Sequence, residues 1–389
     1  MKCFLFTAIL SISAAVLANA QPISGKTELT KPLSPVELVL EKLNPATEVK
    51  NQQQTGTCWC FSGTSFMESQ FLKASNNTPV DLSEMFTVRN IYLEKAKNYF
   101  LRQGHAQFGE GGLGHDVIRA IGTYGAVPES LFSGLPEGQK YFNHTKLVQE
   151  MQAYLDSEIT VSGKGMADDD AKRTAVVESI LNKYIGNPPA SFSYEGKTYT
   201  PKTFAQDYLK FNAADYVNIT SFTDHPYYES FIISVPDNFS NGAYYNLPMN
   251  EMTEVAKTAL GKGYTVMWDA DVSNPGFSQN NGVALNITSG NIARGGSAFT
   301  QAEDAATPEI RQKLYEELVT QDDHLMHIIG LEKNKDGKEF FIVKNSWGAV
   351  GPYKGYINVS ENYFDINTIS LVVPKAALTK AELEKLHLK

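Results

Sequence analysis

Apolar residues in this chain recur with two different periods, and the change falls near residue 215. After the polar run Asn51-Gln52-Gln53-Gln54-Thr55-Gly56, Trp59, Phe66, Met67 and Phe71 fall at helical spacing, with Thr57 placed to cap the helix they imply. Residues 85–99 repeat that period behind Val80-Asp81-Leu82-Ser83-Glu84, where Ser83 or Asp81 is a suitable N-cap. A third helix is predicted between Gly114-His115-Asp116 and Tyr124-Gly125-Ala126-Val127-Pro128. Residues 140–212 are charged, broken by Gly and Pro, and mostly helical in pattern, most clearly over 170–184. Beyond 215 the runs shorten and become strand-like: 231–235, bounded by Pro236 and Asp237, and 264–272, whose alternation puts Asp269 and Asp271 on one face. A helix is expected over 251–260 between them. His324–Gly330 and 340–348 read as two strands joined by the turn Asn334-Lys335-Asp336-Gly337-Lys338, and 368–373 as a last strand before a short helical tail. The pattern is that of an α+β protein. It has a helical part over 21–212, with a helical insertion at about 140–212, a β-rich part over 213–378, and a tail over 379–389.

Composition narrows the setting. The 389 residues are 42% hydrophobic and 20% charged, an ordinary globular balance. Residues 1–20 read as a secretory signal: Lys2, an apolar run from Phe4 to Leu17, then Ala18-Asn19-Ala20. The run is too short for a membrane span, so the mature chain is expected to begin near Gln21, exported and soluble. Losing Lys2 and no acid takes the formal charge from −9 to −10, which disfavours sequence-independent nucleic-acid binding. Of three cysteines, Cys3 lies in the signal and Cys58 and Cys60 are too close for a comfortable bridge. An exported chain without a disulfide framework departs from the usual extracellular pattern; in a bacterial protein, Asn-x-Ser/Thr triplets such as those at Asn76 and Asn143 would be accidents of composition. Residues 21–45, rich in Pro, Ser and Thr, are expected as an extended lead-in, with no room for a propeptide before Cys58.

The chemistry concentrates at a few positions. Cys58 lies in the first turn of its helix, where unpaired N–H groups and the helix dipole favour an anion and lower a thiol's pKa. Gln52 carries an amide donor six residues upstream that can reach back to the same place. Cys60 is expected to be a small buried hydrophobe. The hairpin over 324–348 brings a histidine and Asn345 side by side, and His324 and His327, three residues apart, face opposite sides of one strand. Asp269 and Asp271 either shape a cleft wall or satisfy backbone donors in the loop that follows. Asp168-Asp169-Asp170 reads as a solvated helix start rather than a metal site. His115 is a residue at a helix start.

The segment Gln52…Gly56-Thr57-Cys58-Trp59-Cys60-Phe61-Ser62, together with Lys344-Asn345-Ser346-Trp347-Gly348, resembles the papain-like cysteine peptidases; Cys60 stands where that pattern has alanine or serine. Glycine six residues after the histidine (Gly330) and methionine two after it (Met326) mark His324 rather than His327 as the catalytic one. They also resemble the bleomycin hydrolase and aminopeptidase C branch, as do the helical insertion and the Trp268-Asp269 block. The resemblance implies a papain-like two-domain fold, with a helical left domain and a β-barrel-like right domain meeting at a cleft. Cys58 would be the nucleophile, ion-paired with His324. Asn345 would orient the histidine, Gln52 and the Cys58 N–H would hold the oxyanion, and Trp347 would shield the pair. Gly111 and Gly112 would lend their backbone to a peptide substrate, as glycines permit, with Asp271 a further cleft residue. No metal or cofactor is needed. In that branch a C-terminal arm enters the cleft, its carboxylate meets the substrate's amino end, and the enzymes form hexamers, so a homo-oligomer is an open expectation. The tail here, ending Leu386-His387-Leu388-Lys389, is shorter. That leaves an aminopeptidase blocked by another element, an open-cleft endopeptidase, or a peptide-binding pseudoenzyme.

Overall fold

A computed structural model describes residues 29, 32–166, 168–288 and 291–388. The first-read signal, residues 1–20, lies outside them. The helical part begins with α1 (Cys58–Ala74), α2 (Glu84–Leu101), α3 (Gly114–Tyr124), α4 (Thr145–Ser162) and α5 (Asp170–Tyr184). Helix α1 is buried on nearly every side through Ser69, as a helix is when its neighbours enclose it. Its contact with α3 depends on Gly63, where a Cβ would lie 2.6 Å from Val117 Cγ2. Ser83, not Asp81, caps α2, accepting from the Phe86 N–H at 3.1 Å. Asp81 instead pairs with Lys50 at 2.7 Å.

Eleven strands form one sheet among the described residues. They are β1 (Leu38–Leu43), β4 (Tyr216–Thr220), β5 (Ser230–Ile232), β6 (Ala243–Asn246), β7 (Val266–Ala270), β8 (Phe277–Ser278), β9 (Val283–Ala284), β10 (His324–Asn334), β11 (Glu339–Lys344), β12 (Tyr356–Ser360) and β13 (Thr368–Pro374). The two missing numbers, β2 (Phe192–Tyr194) and β3 (Lys197–Tyr199), are a separate hairpin inside the insertion. The spatial order is β5-β6-β4-β13-β7-β10-β11-β12-β9-β8, with β1 laid antiparallel on β10. The β10–β11 turn is built by Asn334, whose side-chain oxygen accepts from the Asp336 and Lys338 N–H groups at 2.9 Å each, and by Gly337 at φ 85°. α1 lies across β10, with the Ser62 hydroxyl donating to the Met326 carbonyl at 2.6 Å.

Four local expectations are corrected here. The lead-in over 21–45 is partly strand, because β1 finds an unpaired edge on β10. The strand read over 231–235 ends at Ile232: Asn238 takes the Ile233 carbonyl with its amide, so the loop replaces the ladder. The insertion is not helical throughout, because aromatics at Phe192, Tyr194, Tyr199, Phe204 and Tyr208 stack into a cluster that holds the β2–β3 hairpin. β7 stops at Ala270, so Asp271 belongs to the loop beyond it and does not share a strand face with Asp269.

Candidate active site

Three elements converge on Cys58: the start of α1, the start of β10 and the end of β11. The Thr57 carbonyl accepts from the Cys60 and Phe61 N–H groups at 2.9 and 3.2 Å. Its hydroxyl meets that of Thr55 at 2.6 Å, so the expected side-chain cap is replaced by a backbone one. His324 opens β10, and its Nε2 lies 2.7 Å from Asn345 Oδ1, just beyond β11. This leaves Nδ1 without a hydrogen-bond partner among the described residues. The Trp347 ring lies 4.7 Å from the imidazole, tilted by 32°, and covers it. Asn345 is itself held: its amide donates to Gln279 Oε1 at 2.9 Å, and its N–H to the Gly355 carbonyl at 3.0 Å. Gln279 carries no motif and was not legible in the sequence.

Gln52 is fastened to the same strand end, accepting from the Ser346 hydroxyl at 2.6 Å through Oε1 and donating its backbone N–H to the Ser346 carbonyl at 2.8 Å. Its amide donates one hydrogen to the Thr55 carbonyl at 2.7 Å. An amide has two, so one remains. Gly111 and Gly112 lie beside α1, which donates from the Trp59 indole to the neighbouring Glu110 carbonyl at 2.9 Å. A Cβ on Gly112 would lie 3.1 Å from the Trp59 ring, and one on Gly111 would strike the Asp237 carboxylate, so a side chain at either position would displace a neighbour that lines this wall. Lys95 donates to the Gly111 carbonyl at 2.5 Å.

Two expectations change. Asp271 is fully buried, and its oxygens accept from the Ser273 and Gln321 N–H groups at 2.8 and 2.9 Å. It therefore holds the loop before His324 and has no oxygen left for substrate. Nor does the packing favour a standing thiolate–imidazolium pair. Burial pushes the Cys58 thiol up to about 12, against a Leu325 N–H that favours the thiolate, and pushes the His324 imidazole down to about 4. No hydrogen bond joins the two side chains among the described residues, and burial disfavours the charged form of each. The remaining sequence candidates are structural. His327 is fully buried with Nδ1 2.9 Å from the Ser65 hydroxyl, and Cys60 is fully buried, its thiol donating to the Glu84 carbonyl at 3.2 Å. Asp169 caps α5 through the Lys172 N–H. His115 lies between Tyr244 and Ser240, 2.7 Å from each.

A cysteine at a helix entry, with a histidine–asparagine pair under a tryptophan, is the equipment of the cysteine-type peptidases, and the comparisons agree. The chain belongs to the Peptidase C1-like family, whose model matches residues 105–389, and the papain family cysteine protease model matches residues 38–90. It is 26% identical to aminopeptidase C of Streptococcus thermophilus, covering 86% of this chain and 82% of the relative. It is 25% identical to aminopeptidase G of Lactobacillus delbrueckii subsp. lactis, over 88% and 84%. The fold matches the crystal structure of PepW from Lactobacillus rhamnosis HN001 with a TM-score of 0.71 at 21% identity, over 90% of this chain and 84% of that one. The fold is papain-like, and the protein is a cysteine-type peptidase. The expectation of export is overturned by the same relatives: aminopeptidases C are intracellular, cytoplasmic enzymes. No helix among the described residues is long and apolar enough to cross a membrane.

Proposed function

We propose that the protein is an aminopeptidase of small peptides, with Cys58 as nucleophile, His324 as general base and then acid, and Asn345 as the group that orients the imidazole. The observation that carries this reading is the 2.7 Å bond from His324 Nε2 to Asn345 Oδ1. It fixes the tautomer with the proton on Nε2 and leaves Nδ1 basic, on the atom free to take the thiol proton. Attack then moves the Cys58 proton to His324 as the sulfur bonds to the peptide carbonyl carbon. The Cys58 N–H and the second hydrogen of Gln52 hold the oxyanion. His324 passes the proton to the leaving amine, and water, deprotonated by the same nitrogen, cleaves the thioester. The exopeptidase mode is supported by the names of the relatives, aminopeptidase C and aminopeptidase G.

The described tail does not block the cleft in the way the resemblance implies. Leu386 is buried against the core that includes Met252 and Leu378, and Lys385 pairs with Glu251 at 2.8 Å. The open-cleft endopeptidase is therefore the second reading, and substrate choice decides between the two. For the residues, His324→Ala is expected to lower kcat for an aminoacyl anilide by at least about 10²-fold, the scale of general acid–base catalysis, and to slow iodoacetamide alkylation near neutral pH. His327→Ala should keep measurable turnover. The reverse pattern would move the assignment to His327.

A further inference from the structure

Four aspartates surround the approach to Cys58, and they fall into two pairs. Asp271 and Asp323 are committed to one loop: Asp271 as described, and Asp323 accepting from the Val272 and Ser273 N–H groups at 3.3 and 3.1 Å. Asp269 and Asp322 are not. Asp269 is 1% exposed; its Oδ2 accepts from the Ser370 hydroxyl at 3.2 Å, but its Oδ1 has no donor among the described residues. Asp322 Oδ2 is likewise buried without a donor. Both are held above the usual carboxylate range, Asp269 by burial and then by the charge of Asp322, Asp322 by burial and then by the charge of Asp237.

Their position ties them to the reacting sulfur. Asp269 lies directly across β7–β10 from Leu325, whose N–H favours the Cys58 thiolate. Asp322 precedes His324 by two residues. On the facing wall Asp237 packs over Gly111, so closely that a Cβ there would overlap its Oδ2, and it accepts from Gln107 at 3.0 Å. Negative charge on Asp322, Asp269 and Asp237 opposes ionisation of Cys58. The Lys95 ammonium offsets part of the charge on Asp237 and Asp322, but it is hydrogen-bonded to the Gly111 carbonyl and forms no ion pair with any of the three among the described residues. The buried oxygens of Asp269 and Asp322 without donors, beside a nucleophile and with no direct ion-pair partner among the described residues, leave a place for a cationic ligand that brings its own hydrogens.

We infer that Asp237, Asp269 and Asp322 form an ammonium-binding subsite that receives the free amino end of the substrate. The inference rests on the aminopeptidase reading and names side chains of this chain that would meet the substrate's amino end. An α-ammonium has three N–H donors on one atom, enough for Asp322 and Asp237 with Asp269 behind them. Its charge also offsets the acids that oppose the thiolate, so a free amine favours attack as well as binding. An acetylated substrate offers a neutral amide with one hydrogen and does neither.

The test compares kcat/KM for an aminoacyl anilide and its N-acetylated twin in wild type, Asp322→Asn and Asp237→Asn. In wild type the free amine should be preferred. In each variant the free-amine to acetyl ratio should fall by about 10- to 100-fold, the range for losing a charge-assisted hydrogen bond. Asp237 is only half-buried, so its variant carries the test if Asp322→Asn does not fold. A wild type without preference would defeat the aminopeptidase reading itself. A preference that survives both substitutions would defeat this inference while leaving that reading intact. An acetylated peptide with Lys or Arg before the cleaved residue that outruns the free amine would show the subsite to be for a basic side chain, and would also overturn it.

Discussion

Two groups of buried charge flank the cysteine helix, and they are built on opposite terms. On one side Lys50 meets Glu84 at 2.8 Å and Asp81 at 2.7 Å. Glu68 accepts from the Thr47 hydroxyl at 2.6 Å and the Leu82 N–H at 2.9 Å, and Lys344 donates to Ser65 and Thr47. These groups tie the segment before Cys58 and strand β11 to the middle of α1, with Lys50 ion-paired to both Glu84 and Asp81. On the other side lie Asp237, Asp269 and Asp322, with one buried oxygen each of Asp269 and Asp322 unsatisfied among the described residues. The first arrangement fixes the scaffold under the nucleophile. The second is an incomplete site that a ligand completes. Burial is common to both, and so are orphaned oxygens, since Glu129 Oε2 beside the first group also lacks a partner among the described residues; the distinguishing feature is the cation, which Lys50 supplies by direct ion pairs on one side and no described residue does on the other.

The comparison predicts opposite responses to losing a charge. Lys50→Met leaves Glu84 and Asp81 without their cation. It is expected to destabilise the protein by about 3–5 kcal/mol, the cost of breaking a buried pair from one side, read as a lower midpoint in urea at pH 7. Asp269→Asn removes a charge that has no cation and supplies donors to Asp322. It is expected to raise stability at pH 8, by about 1–2 kcal/mol. The sign follows from the raised carboxyl pKa values. Their contribution to stability is complete below the unfolded value of about 4, and it is lost as pH rises through the folded value, about 7 for Asp322. Wild type should therefore lose more stability than Asp269→Asn between pH 4 and 8. A loss in Asp269→Asn as large as that in Lys50→Met would erase the distinction between the two groups.

The sequence carried the elements that follow one dominant signal and missed those set by tertiary pairing. The helices α1, α2, α3 and α5 and the β10–β11 hairpin were legible because their periodicity is strong and, at Ser83 for α2 and in the Asn334–Gly337 turn, the local capping chemistry agrees with it. His324 was separable from His327 by the spacing to Met326 and Gly330, and the structure brings His324 to Asn345 and buries His327 against Ser65. β1 and the β2–β3 hairpin were missed because short or polar strands are fixed by what they pair with or stack on. Asp271 was misplaced because alternation continues past Ala270 while the ladder does not. Asp322 and Asp237 had no motif: the unpartnered Asp322 oxygen and the packing of Asp237 over Gly111 are set by tertiary contacts, which only the packed structure shows.

The central claim is that Cys58 carries the acyl group. The direct test is an acid quench of the enzyme during turnover of an aminoacyl anilide, followed by mass mapping of the peptide that contains both Cys58 and Cys60. The account predicts an aminoacyl thioester on that peptide, retained in Cys60→Ala and absent in Cys58→Ala. An adduct that persists in Cys58→Ala and disappears in Cys60→Ala would contradict it.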